Sequence, residues 1–179
     1  MKRIKIHDLY FEPFIQFEAI DLAIGQVAER MIQDLSDKTP LFLVILNGSF
    51  MFAADLLKKI EFPCEVSFVK LASYVGTKST EHVRELIGFN EEINGRTVVV
   101  LEDIIDTGIT MEKVLDRLNR MGAADVKIAT LLFKPTAFQK DFPIDYIGIE
   151  IPNDFIIGYG LDYNGQARNL RDIYKIAEP

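Results

Sequence analysis

The sequence predicts an α/β fold with a mainly parallel twisted sheet flanked by helices. Short apolar runs rich in β-branched residues, at 41–46, 98–101 and 126–133, are typical of strands buried on both faces. Segments with apolar residues at helical spacing alternate with these runs. Such alternation favours parallel strands joined by crossover helices.

The chain begins with an extended arm and a helix. Ile4 and Ile6 alternate within the arm, which covers residues 1–16. The helix is predicted over about 17–35, because one apolar stripe recurs at helical spacing. That stripe consists of Ile20, Ile24, Val27, Met31 and Leu35.

A second strand and a second helix follow. The strand at 41–46 turns at 47–49 into a helix predicted over 50–60. A further strand is predicted over 64–71. Residues 72–94 then form a long polar stretch without a clear period, which is typical either of a functional lid or of a surface hairpin.

The central stretch combines an apolar strand with three acids and a helix. The acids Glu102, Asp103 and Asp106 follow the strand, and a helix over 111–121 ends at Gly122. A strand, a tight loop and a helix bring backbone N–H groups together around an anion. The loop contains neither a P-loop nor a dinucleotide-binding glycine pattern.

Acids beside an anion site need a reason, because they repel phosphate. They suit a site that also holds ribose hydroxyls, binds Mg²⁺ or accepts a proton. We therefore expect a monophosphate on a ribose, with a metal nearby. The alternative is that Glu102 and Asp103 are solvated loop acids and that Asp106 only caps the helix.

The C-terminal third contains two candidate base-contacting residues. Lys134 follows the strand at 126–133, and lysines at the carboxyl ends of parallel strands point into the ligand-binding crevice. A strand is predicted over 145–152, followed by Phe155, which could stack on a planar ligand. Taken alone, Lys134 also fits a surface lysine and Phe155 a core aromatic.

Composition restricts the class of protein. With 179 residues, 49% of them hydrophobic, the chain is expected to form one domain, with a core over about 17–134 and a small hood made from 1–16 and 135–179. No apolar run approaches membrane-spanning length, and the N-terminus lacks a signal-peptide pattern. A single cysteine and a net charge of −7 fit a cytoplasmic protein that binds neither membranes nor nucleic acid.

Two motifs carry a resemblance to a known family. The run EDIIDTGIT at 102–110 resembles the phosphoribosyl-pyrophosphate signature of type I phosphoribosyltransferases, in the form found in the hypoxanthine-guanine branch. The run FIIGYGLDYN at 155–164 is similar to the base-binding segment of the same family. The resemblance covers about residues 40–175.

The resemblance implies an activity in purine salvage and a set of site residues. The 5-phosphoribosyl group would pass from phosphoribosyl pyrophosphate to hypoxanthine or guanine, giving IMP or GMP and pyrophosphate, with Mg²⁺ as cofactor. The implied phosphoribosyl-binding residues are Glu102, Asp103, Asp106, Thr107, Gly108, Ile109 and Thr110. The implied purine-binding residues are Lys134, Phe155, Ile156, Ile157 and Asp162. The implied pyrophosphate-binding residues are Leu46, Asn47, Gly48, Lys70 and Arg168.

Asp106 is implied as the catalytic residue that accepts the purine N7 proton, and Glu102, Asp103 and Asp162 as the metal ligands. Ser73 and Tyr74 resemble part of the mobile loop that closes over the family's active site. The chain departs from the family at Asn47, where many members carry lysine. A homodimer or homotetramer is expected.

Three alternatives remain open from the sequence. A sister enzyme that uses xanthine, adenine or uracil would share the loop but differ around Lys134 and 155–162. An RNA-binding regulator on the same fold would need a basic face, which the net charge does not favour. A silent nucleotide-binding module would not need Asp106.

Overall fold

The computed structural model describes residues 3–72, 84–87 and 91–177. The strands within these residues are β1 (Ile4–Ile6), β2 (Leu9–Ile15), β3 (Leu41–Leu46), β4 (Glu65–Ala72), β5 (Arg84–Ile87), β6 (Thr97–Ile105), β7 (Asp125–Phe133), β8 (Tyr146–Glu150), β9 (Ile156–Ile157) and β10 (Ile173–Ile176). The helices are α1 (Phe17–Leu35), α2 (Phe50–Leu57) and α3 (Ile109–Arg120).

A six-stranded sheet in the order β5-β4-β3-β6-β7-β8 forms the centre of the molecule. All neighbours pair in parallel except β4 and β5, which pair antiparallel. The chain builds outward from β3 in two directions, first to β4 and later to β6. The carboxyl ends of β3 and β6 are therefore the topological switch point, where open α/β sheets bind ligands. The predicted α/β class is confirmed.

Helices cover both faces of this sheet because its strands are apolar on both faces. Val99 and Leu101 of β6 pack with α1 and α2, whereas Val98 and Val100 pack with α3. The predicted stripe of α1 is fully buried in the first of these cores. This three-layer packing holds the strands rigid, so the loops at their carboxyl ends start from fixed positions.

A second, antiparallel sheet in the order β1-β2-β10-β9 joins the two ends of the described chain. The described part of the predicted arm at 1–16 contains a hairpin of β1 and β2, and β10 pairs with β2 along the hairpin's other edge. β8 lies beyond residue 134 but belongs to the large sheet. The large sheet thus extends past the expected limit of the core.

Several element bounds differ from the sequence expectation. β6 continues to Ile105 because its ladder with β7 runs past the two acids, pairing Glu102 with Thr130 and Ile105 with Phe133. α2 ends at Leu57 instead of residue 60, since the next amides bond three residues back. α3 begins at Ile109, two residues before the expected start.

The stretch 72–94 contains strand β5, which pairs antiparallel with β4. Ser73 and Tyr74, the expected lid residues, lie outside the described residues. No helix among the described residues has the length and apolar character needed to cross a membrane.

Candidate active site

The loop between β6 and α3 forms a pocket at the switch point. Its lining consists of Glu102, Ile104, Ile105, Asp106, Thr107, Gly108, Ile109, Thr110 and Met111. Gly108, which has no side chain with which to cap the helix, is the N-cap of α3 with φ 83°, and the Ile109 N–H donates to Thr107 Oγ1 at 3.5 Å. The first amides of α3 therefore face the pocket without intrahelical acceptors. This arrangement suits an anion.

Two expectations about this loop are corrected. Ile109 and Thr110 belong to the first turn of α3 and not to a loop. The alternative in which Asp106 caps the helix is wrong, because Gly108 occupies the N-cap position.

Residues that follow β7 support the loop between β6 and α3. A Cβ on Gly108 would lie 2.6 Å from Cε2 of Phe138 and 2.9 Å from Cγ of Lys140. Phe138 packs edge-on against Phe133 and Phe142, with ring centroids 5.3 Å apart in both pairs. The N–H of Gln139 donates to the carbonyl of Thr107 at 3.3 Å. The loop is thus held by backbone and ring contacts that its own sequence does not reveal.

Glu102 and Asp103 are adjacent carboxyl groups at the end of β6. Burial, together with the neighbouring Asp103 carboxylate, raises the pKa of Glu102 well above its ordinary value of 4.5. Burial also raises the pKa of Asp103, although the Ile104 N–H, 2.9 Å from Oδ1, favours its ionised form. Glu102 Oε2 is buried and has no hydrogen-bond partner among the residues that the structure describes. The alternative of solvated loop acids is therefore wrong, and this oxygen is available to accept a hydrogen bond or to contact a cation.

The turn after β3 brings backbone close to these acids. The Leu46–Asn47 peptide bond is cis. The buried hydroxyl of Ser49 donates to the carbonyl of Ile45. A Cβ on Gly48 would overlap the carboxylate of Asp103. Only glycine allows this approach of the turn to β6.

Lys70 lies level with the same turn on the neighbouring strand. It pairs in register with Leu46 at the carboxyl ends of β4 and β3. Leu46, Asn47, Gly48 and Lys70 thus lie at one edge of the sheet.

Lys134 is buried beside Asp106. Its side chain follows β7, and the residue is 7% exposed, so it is not a surface lysine. Its Nζ lies 3.6 Å from Asp106 Oδ2 and 3.3 Å from Asn153 Oδ1. Asn153 is not predictable from the sequence, because a lone asparagine in a loop carries no spacing signal.

Arg168 and Asp162 form an ion pair in the loop after β9. Arg168 Nη2 lies 2.5 Å from Asp162 Oδ1, and Nη1 donates to the carbonyl of Gly160 at 2.7 Å. The other Asp162 oxygen accepts the Gly165 N–H at 2.7 Å. No group of three or more acidic, His or Cys side chains within 3–72, 84–87 and 91–177 could hold a metal ion. Glu102, Asp103 and Asp162 therefore do not form such a group.

Phe155 presents a ring to solvent at the edge of the small sheet. It is 44% exposed, so the core-aromatic alternative is wrong. Buried Phe11 and partly buried Tyr163 support the ring, with centroids 6.1 Å and 5.7 Å away. Ile156 and Ile157 form β9, an edge strand of that sheet, and within the described part of the chain no strand pairs with its outer side.

Comparisons with known proteins agree with this geometry. A family model described as phosphoribosyl transferase domain matches residues 16–164. Hypoxanthine phosphoribosyltransferase of Haemophilus influenzae is 44% identical over 154 residues, which cover 86% of each chain. Hypoxanthine-guanine-xanthine phosphoribosyltransferase of Tritrichomonas foetus is 39% identical over 152 residues, 84% of this chain and 83% of the relative.

A solved structure gives the same result for the fold. The hypoxanthine-guanine phosphoribosyltransferase of Bacillus anthracis superposes with a TM-score of 0.86 at 32% identity, covering 93% of this chain and 97% of the other. The family model spans most of the chain, and the relatives match it over most of their own length. The chain belongs to the phosphoribosyltransferase family.

Proposed function

We propose that this protein serves purine salvage by transferring the 5-phosphoribosyl group of phosphoribosyl pyrophosphate to N9 of hypoxanthine or guanine. The products are IMP or GMP and pyrophosphate, and Mg²⁺ is the cofactor. The names of the Haemophilus and Bacillus relatives support a 6-oxopurine as acceptor.

The observation that carries the choice of base is the pairing of Lys134 with Asp106. Their charged atoms lie 3.6 Å apart. On a 6-oxopurine, O6 and N7 are neighbouring atoms on one edge. The Lys134 ammonium can donate to O6 while Asp106 accepts the N7 proton. Phe155 would stack on the purine ring. The backbone groups of Ile156 and Ile157 would bind the Watson–Crick edge of the base, and Asp162 is a further proposed purine-binding residue.

The β6–α3 loop is the proposed site of the 5′-phosphate. Amides of residues 106–110 and the hydroxyls of Thr107 and Thr110 would cradle the phosphate oxygens. Glu102 and Asp103 would accept hydrogen bonds from the ribose hydroxyls. This contact would also satisfy the orphaned Glu102 oxygen.

The donors present fit Mg²⁺ held partly by substrate. This ion is usually bound by one or two carboxylates together with substrate phosphates, so a cluster of three acids is not required. Glu102 and Asp103 would supply the protein's oxygens, and Asp162 remains a proposed ligand of the metal or its waters. When bound, the ion would offset the charge that develops on the leaving pyrophosphate.

The remaining residues would stabilise pyrophosphate as it departs. The backbone of Leu46, Asn47 and Gly48 and the cations Lys70 and Arg168 would surround the leaving group. In the reaction, N9 forms a bond to the ribose C1′ and the C1′–O bond to pyrophosphate breaks with its electron pair. Asp106 takes the N7 proton as the base becomes a nucleophile. Fixed positive groups around the leaving group lower this barrier most.

One assay tests the proposal. Protein, Mg²⁺ and phosphoribosyl pyrophosphate are incubated with hypoxanthine, guanine, xanthine or adenine, and nucleotide and pyrophosphate are measured together. We expect both products with hypoxanthine and guanine. Xanthine is included because the Tritrichomonas relative's name contains that base. Pyrophosphate formation without nucleotide, or no product with either 6-oxopurine, would contradict the proposal.

An RNA-binding regulator on the same fold is not favoured, because the relatives are named as enzymes acting on purine bases. The predicted homodimer or homotetramer stays a prediction, which light scattering of the purified protein would test.

A further inference from the structure

The chain turns sharply after β9, beside the turn that follows β3. Gly158, Tyr159 and Gly160 have φ values of 96°, 46° and 98°. Positive φ is uncommon for a bulky residue such as tyrosine and is held here by its surroundings. The Gly160 N–H donates to the carbonyl of Arg168 at 2.9 Å, which closes the loop. The Tyr159 side chain consequently enters the interior, where the residue is 1% exposed.

Tyr159 is anchored to helix α2. Its hydroxyl donates to Asp55 Oδ2 at 2.5 Å, and Lys58 Nζ lies 2.6 Å from Asp55 Oδ1. Its ring packs against Phe17 at the start of α1, with centroids 6.2 Å apart. Burial and the bond to Asp55 raise the pKa of Tyr159, so its hydroxyl stays a donor. α2 begins directly after residues 47–49. The hydrogen bond between Tyr159 and Asp55 therefore links both the turn at 47–49 and the loop after β9 to one helix.

The turn at 47–49 and the loop after β9 contact each other through Gly48 and Gly160, and neither glycine has room for a side chain. A Cβ on Gly160 would overlap the carbonyl oxygen of Gly48, and a Cβ on Gly48 would overlap the carboxylate of Asp103. Gly48 is thus enclosed between Gly160 and Asp103. A displacement of Gly160 either presses on Gly48 or opens a gap beside it.

Gly160 also fixes the guanidinium of Arg168. Its carbonyl accepts from Arg168 Nη1 at 2.7 Å, and Asp162 accepts from the other side at 2.5 Å. Gly160 therefore lies next to two proposed contacts of pyrophosphate, the backbone of Gly48 and the guanidinium of Arg168. Tyr159, its immediate neighbour, is the anchored residue.

We propose that Tyr159 and Asp55 form a positioning pair that sets the distance between the Gly48 turn and Arg168. This inference rests on the proposed function, which places pyrophosphate between those groups. Neither residue belongs to the proposed base-contacting set. Loss of the pair should therefore weaken the pyrophosphate half of the site and leave the purine half unchanged.

The test uses Tyr159→Phe, which keeps the ring, with Asp55→Ala and Asp55→Asn. One hydrogen bond corresponds to about a three- to tenfold change in affinity. We expect KM for phosphoribosyl pyrophosphate and Kd for pyrophosphate with Mg²⁺ to rise by about that factor in Tyr159→Phe and Asp55→Ala. KM for hypoxanthine should stay within about twofold of wild type. Asp55→Asn retains an acceptor for the hydroxyl and should restore most of the pyrophosphate affinity.

Tyr146→Phe is the matched control. Tyr146 is also buried, and its hydroxyl donates to Asp34 Oδ2 at 3.0 Å, but it lies at the amino end of β8, away from the site. This variant should lose a similar amount of stability with no change in pyrophosphate affinity. An equal change in Tyr146→Phe and Tyr159→Phe would overturn the positioning role.

Calorimetric titration with pyrophosphate separates this inference from the proposed function, because it does not require turnover. Wild-type protein that binds pyrophosphate but forms no nucleotide contradicts the proposed function. Unchanged pyrophosphate affinity in both Tyr159→Phe and Asp55→Ala contradicts the positioning pair alone.

Discussion

At the scale of single residues, the site contains one pair of opposite charges, whose Asp106 side chain is 48% exposed, and one pair of like charges. Asp106 faces the buried Lys134 ammonium at 3.6 Å, whereas Glu102 and Asp103 face each other. The first arrangement suits proton transfer to a carboxylate beside a donor. The second is a repulsion between like charges, which ribose hydroxyls or a cation would relieve.

Asp106→Asn tests the proposed base. The amide keeps the shape of the side chain but cannot accept the N7 proton in the same way. We expect kcat to fall by about 10²–10⁴-fold with KM values largely kept. Asp116→Asn on the exposed face of α3 is the control and should leave kcat unchanged. A near wild-type rate for Asp106→Asn would show that another group takes the proton.

Glu102→Gln tests the buried carboxyl pair through stability. Because the folded pKa of Glu102 is raised above its ordinary 4.5, the folded state binds a proton more tightly than the unfolded state. Its contribution to stability is therefore present at low pH and is lost as pH rises through the raised pKa. Without ligand and in excess EDTA, the Gln variant should have a Tm at least about 2 °C above wild type at pH 8, corresponding to roughly 1 kcal/mol.

That advantage should shrink toward pH 5, where wild-type Glu102 is itself protonated more of the time. Thermal unfolding from pH 5 to pH 8 measures the difference. A Tm difference independent of pH would mean that Glu102 does not titrate abnormally.

At the scale of elements, α3 fixes one end of the loop between β6 and α3, the proposed site of the 5′-phosphate. Left-handed glycines flank it, Gly108 with φ 83° and Gly122 with φ 82°. Its apolar stripe, Met111, Val114 and Leu118, is buried on the sheet. The helix is therefore fixed at both ends and along one face, and only its N-terminus faces the pocket.

Gly108→Ala and Gly122→Ala separate conformational cost from function. Each puts a side chain where left-handed backbone costs about 1–2 kcal/mol, so both should lower the free energy of unfolding. Only Gly108→Ala would also press on Phe138 and displace the loop. We expect KM for phosphoribosyl pyrophosphate to rise at least about tenfold in Gly108→Ala and little in Gly122→Ala. Similar KM values in the two variants would argue against the loop as the phosphate site.

Much of the fold could be predicted from local sequence patterns. The predictions that were wrong concern features that depend on tertiary contacts. The stripe of α1 and the run of β3 are apolar enough to fix their bounds without further information. β6 was expected to end at Leu101, because two acids look like a loop; the ladder with β7 carries the strand on to Ile105. The sequence did not predict roles for Asn153 and Asp55. Folding alone brings Asn153 to Lys134 and Asp55 to Tyr159.

At the scale of the whole molecule, the site combines loops from both sheets. The large sheet contributes the ends of β3, β4, β6 and β7, and the small sheet contributes Phe155 and the loop to Arg168. The hairpin of β1 and β2 supports Phe155 through Phe11. A ligand that spans both sheets is therefore required to use all of these groups at once.

Metal removal tests that combined site. Several carboxylates face the proposed diphosphate, so binding without a cation should be blocked by repulsion. We expect turnover to stop in excess EDTA and to return on adding Mg²⁺ or Mn²⁺. A matched titration with Ca-saturated EDTA controls for the chelator itself. Undiminished turnover in EDTA would contradict the proposed role of Mg²⁺.

The central claim is that this site transfers phosphoribosyl to a 6-oxopurine read by Lys134. Its most direct measurement is kcat/KM for hypoxanthine, guanine and adenine in wild type, Lys134→Met and Lys127→Met. Lys127 lies on β7 toward its amino end, where it pairs with Asp145 at 3.1 Å, so it controls for loss of a strand lysine. A buried donor that requires a carbonyl can reject an amino group by about 10⁴-fold. We predict strong preference for hypoxanthine and guanine in wild type and Lys127→Met, and a much smaller preference in Lys134→Met; adenine used as well as guanine by wild type, or an intact preference in Lys134→Met, would contradict the account.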